Sequence, residues 1–184
     1  MIEGIRQLYK RREQRLQFDP SFNLNEIFTK LRIVGKDKTT GIMKDDITNM
    51  TGIYKTHEEC EEPPRTVLIE GDLGMGKTTY CQKLAYDWAT SREHWDKSFP
   101  MIALLLLLRC HDIKSNLREA IYEQLLPDVI DEKRKENLFK FISDNQSRVL
   151  FVLDGLDEAD HSEIDMFIDL AQSKGLHKCL FVFT

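Results

Sequence analysis

The sequence predicts an α/β fold in which a mostly parallel central sheet lies between two layers of helices. From residue 65 onward, short apolar runs alternate with segments that carry apolar residues at helical spacing, a pattern typical of repeated strand–helix units. The runs are apolar on both faces, as in strands buried within a parallel sheet. The chain has 184 residues, 41% of them hydrophobic, which suffices for one globular domain that buries about 70% of its unfolded surface.

Residues 1–64 are predicted to precede this core as a short helical segment, an extended stretch and a linker. Apolar residues at helical spacing run from Ile5 to Leu16, and an Asp-Pro pair then ends the pattern. Phe28–Val34 is a short apolar stretch of strand or extended type. Residues 35–64 are polar, contain glycines and end on two prolines, which is typical of a loop or flexible connection.

Residues 65–184 are predicted to form the core. The predicted strands are Thr66–Glu70, Met101–Leu108, Val149–Leu153 and Cys179–Thr184, and the predicted helices are Lys77–Thr90, Ile113–Leu126, Asp131–Asp144 and Ser162–Ser173. The run Met101–Leu108 is far shorter than the roughly 18 apolar residues that suggest a membrane span, so we interpret it as a buried strand. Because the sequence stops at a strand end, we expect a core truncated at its C-terminal end.

The segment Gly71–Thr78 matches the phosphate-binding pattern G-x-x-x-x-G-K-[ST] at every fixed position. It lies between a predicted strand and a predicted helix, the context that the pattern requires. Glycines let the backbone come close to a ligand, and the N–H groups at a helix N-terminus attract phosphate. A glycine-rich turn without function would leave the lysine–threonine pair unexplained. The sequence therefore predicts a three-layer P-loop NTPase. The expected nucleotide contacts are Gly71, Asp72, Leu73, Gly74, Met75, Gly76, Lys77, Thr78 and Thr79.

The remaining chemistry is expected from one lysine, one hydroxyl and three carboxylates. Lys77 would stabilise charge on the β- and γ-phosphates, and the Thr78 hydroxyl would ligate Mg²⁺. An apolar strand ends in Asp154, and ligands of open parallel sheets bind at that end of the strands. Asp154 is therefore expected to hold Mg²⁺ opposite Thr78. Asp157 or Glu158 is expected to accept the proton of the attacking water, and the sequence leaves that choice open.

Residues 157–160 read Asp-Glu-Ala-Asp, the letters of a known RNA-helicase motif. In that helicase family the first aspartate of the motif closes the apolar strand, whereas here the strand closes at Asp154. The net charge of −5 and pI of about 5.6 also leave no broad basic surface for a nucleic-acid backbone. We therefore reject a helicase and expect no nucleic-acid partner.

The start of the chain and its cysteines predict a cytoplasmic protein. The first residues are too polar for a signal peptide, and no apolar run is long enough for a membrane span. The four cysteines, which are Cys60, Cys81, Cys110 and Cys179, are spread out without a CxxC pair, as is typical of free cysteines in the cytosol.

Taken together, the motifs resemble the NACHT domain, a branch of the signal-transduction (STAND) P-loop NTPases found in NOD-like receptors. The resemblance covers about Phe28 to Thr184 and is carried by GDLGMGKTT, LAYDWA and VLFVLDGLDE. Characteristic of the branch is a small residue after the first aspartate, with acidic residues three and four positions beyond that aspartate. Here these are Gly155, Asp157 and Glu158.

The resemblance implies further features of the site. Residues 27–34 are similar to the stretch that lies over the adenine in NACHT proteins, which makes Phe28 and Thr29 candidates for contact with the base. The final strand is similar to one that ends in a sensor arginine, and this chain stops before any such arginine. The helical lid, the winged helix and the ligand-sensing repeats of the family are also missing from this sequence.

The function implied by the resemblance is an ATP/ADP-binding switch at the core of a NOD-like innate-immune or related signalling receptor. ATP would favour an open, self-associating state and ADP a closed one, with slow Mg²⁺-dependent hydrolysis as the reset in the full-length protein. Two alternatives stay open, which are a binding-only nucleotide module and a P-loop phosphotransferase. The phosphotransferase is disfavoured because residues 113–144 contain two arginines and no glycine-framed lid.

Overall fold

The computed structural model describes residues 1–16, 33–36, 43–47, 51–56, 61–90, 95–114, 116–126, 131–159 and 176–184. The helices are α1 (Ile2–Leu16), α2 (Lys77–Ala89), α3 (Leu117–Leu125) and α4 (Glu132–Asp144), and the strands are β1 (Ile33–Lys36), β2 (Met43–Ile47), β3 (Thr66–Leu68), β4 (Leu104–Arg109), β5 (Val149–Asp154) and β6 (Leu180–Phe183). None of the helices in these ranges is long and apolar enough to cross a membrane.

Strands β3 to β6 form a parallel sheet in the order β3-β6-β5-β4. Phe151 of β5 lies opposite Leu106 of β4 on one side and Phe181 of β6 on the other. Helix α2 packs on β4 and β5, α3 packs on β4, and α1 packs on α2. The prediction of an α/β fold with a parallel central sheet is therefore confirmed.

The apolar runs form strands because the sheet is covered on both faces. Every side chain of β5 and β6 is buried, and β4 is buried except at Arg109. Phe181 stacks between two other rings, with ring centroids 5.3 Å from Phe151 and 5.9 Å from Phe183. Burial of this kind on both faces of a strand favours a continuous apolar sequence over an alternating one. The packed sheet supplies a rigid base for the polar residues at its carboxyl edge.

Helix α1 packs on the domain and covers one edge of the sheet. Ile5 and Tyr9 are buried, and the Tyr9 ring meets Trp88 of α2 edge to face, with centroids 6.2 Å apart. The Tyr9 hydroxyl donates to the carbonyl oxygen of Leu105 at 3.3 Å and accepts from the backbone N–H of Leu107 at 2.9 Å. Since β4 ends the strand order of the described sheet, Tyr9 satisfies backbone groups that an edge strand would otherwise expose.

The prediction of a loop over residues 35–64 is partly wrong. Strands β1 and β2 pair antiparallel, with a bulge between Val34 and Lys36, and residues 52–54 form a buried 3-10 turn. The Tyr54 hydroxyl donates to the carbonyl oxygen of Phe181 at 3.1 Å, which fixes this turn against β6. Strand β2 reads Met-Lys-Asp-Asp-Ile and lacks apolar alternation, so its pairing could not be read from local pattern.

Several predicted boundaries also shift. The strand expected from Met101 begins at Leu104 and Met101 is 74% exposed, because an apolar run shows composition but not where pairing starts. The helix expected from Ile113 begins at Leu117, where the Asn116 side chain accepts from the N–H of Glu119 at 3.0 Å. That cap defines the true N-terminus of α3. The predicted helix over residues 162–173 and most of the predicted stretch 28–34 lie outside the described residues.

Candidate functional site

The loop between β3 and α2 has the backbone geometry expected of a phosphate-binding loop. Gly74 and Gly76 have φ of 83° and 85°, a left-handed conformation that suits glycine. Gly76 is the N-cap of α2, and its carbonyl oxygen accepts from the N–H of Tyr80 at 2.9 Å. Inside the loop, the N–H of Met75 donates to the carbonyl oxygen of Asp72 at 3.2 Å. These features place N–H groups and the helix N-terminus at one point, where an anion is stabilised.

The Lys77 ammonium group lies inside this arrangement. Its Nζ donates to the carbonyl oxygen of Gly71 at 2.6 Å and to Oδ2 of Asp157 at 3.0 Å. The Lys77 side chain is 15% exposed, whereas that of Asp157 is 57% exposed. The lysine is therefore held at the loop by one backbone oxygen and one solvent-accessible carboxylate.

Asp154, the last residue of β5, accepts two hydroxyl hydrogen bonds on one oxygen. Thr78 Oγ1 donates to Asp154 Oδ1 at 3.1 Å, and Thr184 Oγ1 donates to the same atom at 3.0 Å. Asp154 is 7% exposed and Thr184 is 3% exposed. The Cys81 Sγ lies 3.7 Å from Thr184 Oγ1, and burial together with the Asp154 charge raises the pKa of this thiol. The two hydroxyl groups therefore hold the Asp154 carboxylate in place, and the Cys81 thiol lies next to one of them.

A tight turn after Asp154 carries the two other carboxylates. Gly155 has φ of 81°, and a Cβ placed there would lie 3.4 Å from Oε2 of Glu158, so the position favours glycine. The N–H of Leu156 donates to the carbonyl oxygen of Thr184 at 2.6 Å, which ties the 3-10 turn Leu156–Glu158 to the end of β6. The left-handed conformation of Gly155 and the hydrogen bond from Leu156 to Thr184 together set the direction of the turn.

Asp157 and Glu158 have different partners. Asp157 faces Lys77, as described above, whereas Oε2 of Glu158 lies 3.6 Å from Nδ1 of His111. His111 follows β4, and its Nε2 lies 3.3 Å from Oδ1 of Asp112. The turn after β5 therefore contacts the phosphate loop through Asp157 and the neighbouring strand end through Glu158.

Most of the predicted site residues line one cleft of about 250 Å³. Gly71 contributes through its carbonyl oxygen on Lys77. Leu73 and Met75 are 95% and 60% exposed. Phe28 and Thr29 lie outside the described residues. The residues around the cleft are Asp72, Leu73, Gly74, Met75, Gly76, Lys77, Thr78, Thr79, Asp154, Gly155, Asp157 and Glu158.

Sequence reasoning missed the parts played by Thr184 and His111. Thr184 is a polar residue at the end of an apolar strand. Since the same pattern identified Asp154, it could also have identified Thr184. His111 follows β4 after Cys110 and carries no motif of its own. Its relation to Glu158 depends on the turns after β4 and β5 lying side by side.

The cleft also fits a magnesium ion. Hydroxyl and carboxylate oxygens are the ligands that Mg²⁺ prefers, and the Thr78 hydroxyl and the Asp154 carboxylate lie side by side on the cleft wall. The fit to Mg²⁺ rests on the chemistry of these oxygen ligands and on the distance of 3.1 Å between Thr78 Oγ1 and Asp154 Oδ1.

A parallel sheet, a glycine loop that leads into a helix with Lys77 and Thr78, and a strand that ends in Asp154 beside them define the core of a P-loop NTPase. Comparison with protein families matches residues 65–183 to the NACHT domain. The match covers well over half of the chain, and the chain belongs to the NACHT family.

The curated relatives are NOD-like receptors. The chain is 30% identical to Protein NLRC5 of Ictalurus punctatus over 51% of its length, which is 5% of that protein. It is 27% identical to NACHT, LRR and PYD domains-containing protein 3 of Macaca mulatta over 75% of its length, and this alignment covers 14% of the relative. It is 30% identical to Nucleotide-binding oligomerization domain-containing protein 2 of Pan troglodytes over 58% of its length and 10% of the relative's. The chain thus spans less than a fifth of these relatives.

Proposed function

We propose that this chain is the ATP- and ADP-binding switch module of a NOD-like signalling receptor. The observation that carries the proposal is the phosphate loop, in which Thr78 donates to Asp154 at the end of β5 and Lys77 pairs with Asp157 on the turn that follows. Membership of the NACHT family supports it independently. A nucleoside diphosphate or triphosphate supplies the anion that this loop can bind.

Each residue of the loop has a distinct task in binding. Backbone N–H groups of the loop and of the first turn of α2 donate to the phosphate oxygens, and the α2 N-terminus adds positive potential. Lys77 brings a full charge to the β- and γ-phosphates. Thr78 and Asp154 would hold Mg²⁺, which screens the phosphate charge when it is bound. Phe28 and Thr29 are proposed to contact the adenine base.

Hydrolysis is the slow step that resets the switch. A water molecule attacks the γ-phosphorus, the bond to the β,γ-bridging oxygen breaks, and ADP and inorganic phosphate result. The water's proton passes to a carboxylate on the turn after β5, which is Asp157 or Glu158. Lys77 stabilises the negative charge that builds on the transferred phosphoryl group and the leaving oxygen.

In the proposed switch, the bound nucleotide controls self-association of the protein in the cytoplasm. ATP would favour an open state that associates with further copies, and ADP a closed state, because a ligand shifts such an equilibrium only by binding one state more tightly. The name of one relative, Nucleotide-binding oligomerization domain-containing protein 2, refers to nucleotide binding and oligomerization. Both properties would depend on contacts made by the longer receptor.

The test is to purify the protein without added nucleotide, denature it and identify the released small molecules by chromatography. ADP in nearly stoichiometric amount would support the switch and identify the base. Protein without nucleotide is then titrated with ATP and ADP in the presence of Mg²⁺. A folded protein that neither carries nor binds an adenine nucleotide would contradict the proposal, and binding without phosphate release would favour the binding-only module.

A further inference from the structure

The lysine that would receive the phosphates already holds an anion. Asp157 Oδ2 lies 3.0 Å from Lys77 Nζ, and the carbonyl oxygen of Gly71 lies 2.6 Å from the same nitrogen. An ammonium group has three donors, so these two partners occupy most of its hydrogen-bonding capacity. A phosphate oxygen that approaches Lys77 therefore meets a negative carboxylate at the position where it would bind.

The backbone that carries Asp157 is fixed, but its side chain is accessible. Leu156 is tied to Thr184, and the N–H of Glu158 donates to the carbonyl oxygen of Gly155 at 3.2 Å. The Asp157 side chain is 57% exposed, so its carboxylate can rotate into water without a change in the turn. Exchange at Lys77 thus requires a side-chain rotation and leaves the fold intact.

We propose that Asp157 is a displaceable counter-ion of Lys77 that makes binding depend on the number of phosphates. This inference rests on the proposed nucleotide-binding function. A diphosphate or triphosphate replaces the carboxylate with its own anion on Lys77. A monophosphate does not reach the lysine, because in this loop the lysine serves the β- and γ-phosphates. Displacement also frees the Asp157 carboxylate beside the reacting phosphate only once a nucleotide is in place.

The main test compares Asp157→Asn with the wild-type protein by calorimetric titration with ATP, ADP and AMP in Mg²⁺. Removing the competing charge should tighten ATP and ADP binding about two- to fivefold, the upper part of the range for a partly exposed ion pair. AMP binding should change less than about twofold. Because the variant forms a new ion pair with phosphate instead of exchanging one, its ATP affinity should also fall more steeply with salt.

A matched control removes a different carboxylate at the same edge of the sheet. The Asp112 carboxylate lies 3.3 Å from His111 and its side chain is 48% exposed. Asp112→Asn should therefore change ATP affinity less than about twofold. If Asp112→Asn and Asp157→Asn tighten ATP equally, the effect is one of overall charge and the inference is wrong.

A double-mutant cycle then assigns the effect to the pair. In a Lys77→Ala background, Asp157→Asn should leave ATP affinity unchanged, because no ammonium group remains for the carboxylate to occupy. Equal tightening with and without Lys77, or weaker ATP binding in Asp157→Asn, would overturn the inference. Failure of Lys77→Ala alone to weaken binding would instead contradict the proposed function, so the two failures are distinguishable. Asp157→Ser repeats the comparison with a different neutral side chain.

Discussion

Replacement of Tyr9 by phenylalanine tests whether α1 belongs to the folded core. The change removes one hydroxyl that bonds Leu105 at 3.3 Å and Leu107 at 2.9 Å, both at a buried site. A buried polar group left without a partner costs about 1–3 kcal/mol. Since the bond to Leu105 is the longer of the two, the free energy of unfolding should fall by about 2–4 kcal/mol. The measurement is equilibrium unfolding in urea, monitored by circular dichroism.

The control for this prediction is Tyr122→Phe. Tyr122 belongs to α3, and its ring meets Phe139 of α4 edge to face with centroids 5.7 Å apart. This packing survives loss of the hydroxyl. Its effect should stay within about 0.5 kcal/mol. If both variants lose the same small amount of stability, α1 does not close the edge of β4 through Tyr9. The reasoning would then fail, and with it the view that the unit extends beyond the family match at residues 65–183.

Three further predictions concern the site and the pH dependence of stability. Thr184→Val removes a hydroxyl that donates to Asp154 and should lower the free energy of unfolding by about 1.5–3 kcal/mol in urea, whereas Thr184→Ser should lose less than about 1 kcal/mol; equal losses would contradict the role of the hydroxyl. Lys77→Ala should weaken ATP binding about 10- to 150-fold in a calorimetric titration, and unchanged affinity would refute the phosphate-loop assignment. Burial raises the pKa of Tyr9, Tyr54 and Tyr80 above 10.0, so the folded state keeps protons that the unfolded state releases. This contribution to stability is therefore complete well below pH 10. It should fall by about 1 kcal/mol between pH 10 and 11 for each tyrosine, and by about 1.4 kcal/mol per pH unit above that. In Tyr9→Phe, the free energy of unfolding should fall less steeply with pH, by the contribution of one tyrosine. Equal slopes for the variant and the wild-type protein, in unfolding curves from pH 10 to 11, would contradict this prediction.

The phosphate loop can be predicted from the sequence because its chemistry is local. Gly74, Gly76, Lys77 and Thr78 act within a few residues of one another, and their spacing alone specifies the turn and the helix start. The strand that ends in Asp154 is equally clear, since an apolar run closed by a carboxylate and preceded by a phosphate loop indicates a metal-binding strand end. Both predictions depend on short-range pattern and require no knowledge of the packing.

The contacts that could not be predicted join residues that are distant in the sequence. Tyr9 bonds Leu105 of β4, which is 96 residues away, and no periodicity in α1 indicates which strand its hydroxyl would meet. The choice between Asp157 and Glu158 also has no sequence signal, because both follow the same turn. Packing separates them, since one carboxylate faces Lys77 and the other faces His111.

Thr184 contacts both Asp154 and the turn after β5, and it uses three different atoms for its hydrogen bonds. Its hydroxyl donates to Asp154, its carbonyl oxygen accepts from Leu156, and its N–H donates to the carbonyl oxygen of Leu153 at 3.0 Å. The side chain therefore orients the carboxylate proposed to bind the metal and accepts a longer bond of 3.4 Å from the N–H of Gly155. The carbonyl oxygen holds the turn through the shorter bond of 2.6 Å from Leu156. Because Thr184→Val keeps both backbone bonds, to Leu156 and Leu153, it should change the Mg²⁺ dependence of nucleotide binding and leave the Asp157–Lys77 pair in place. A variant that also abolished the effect of Asp157→Asn would show that the hydroxyl, and not the backbone, holds the turn.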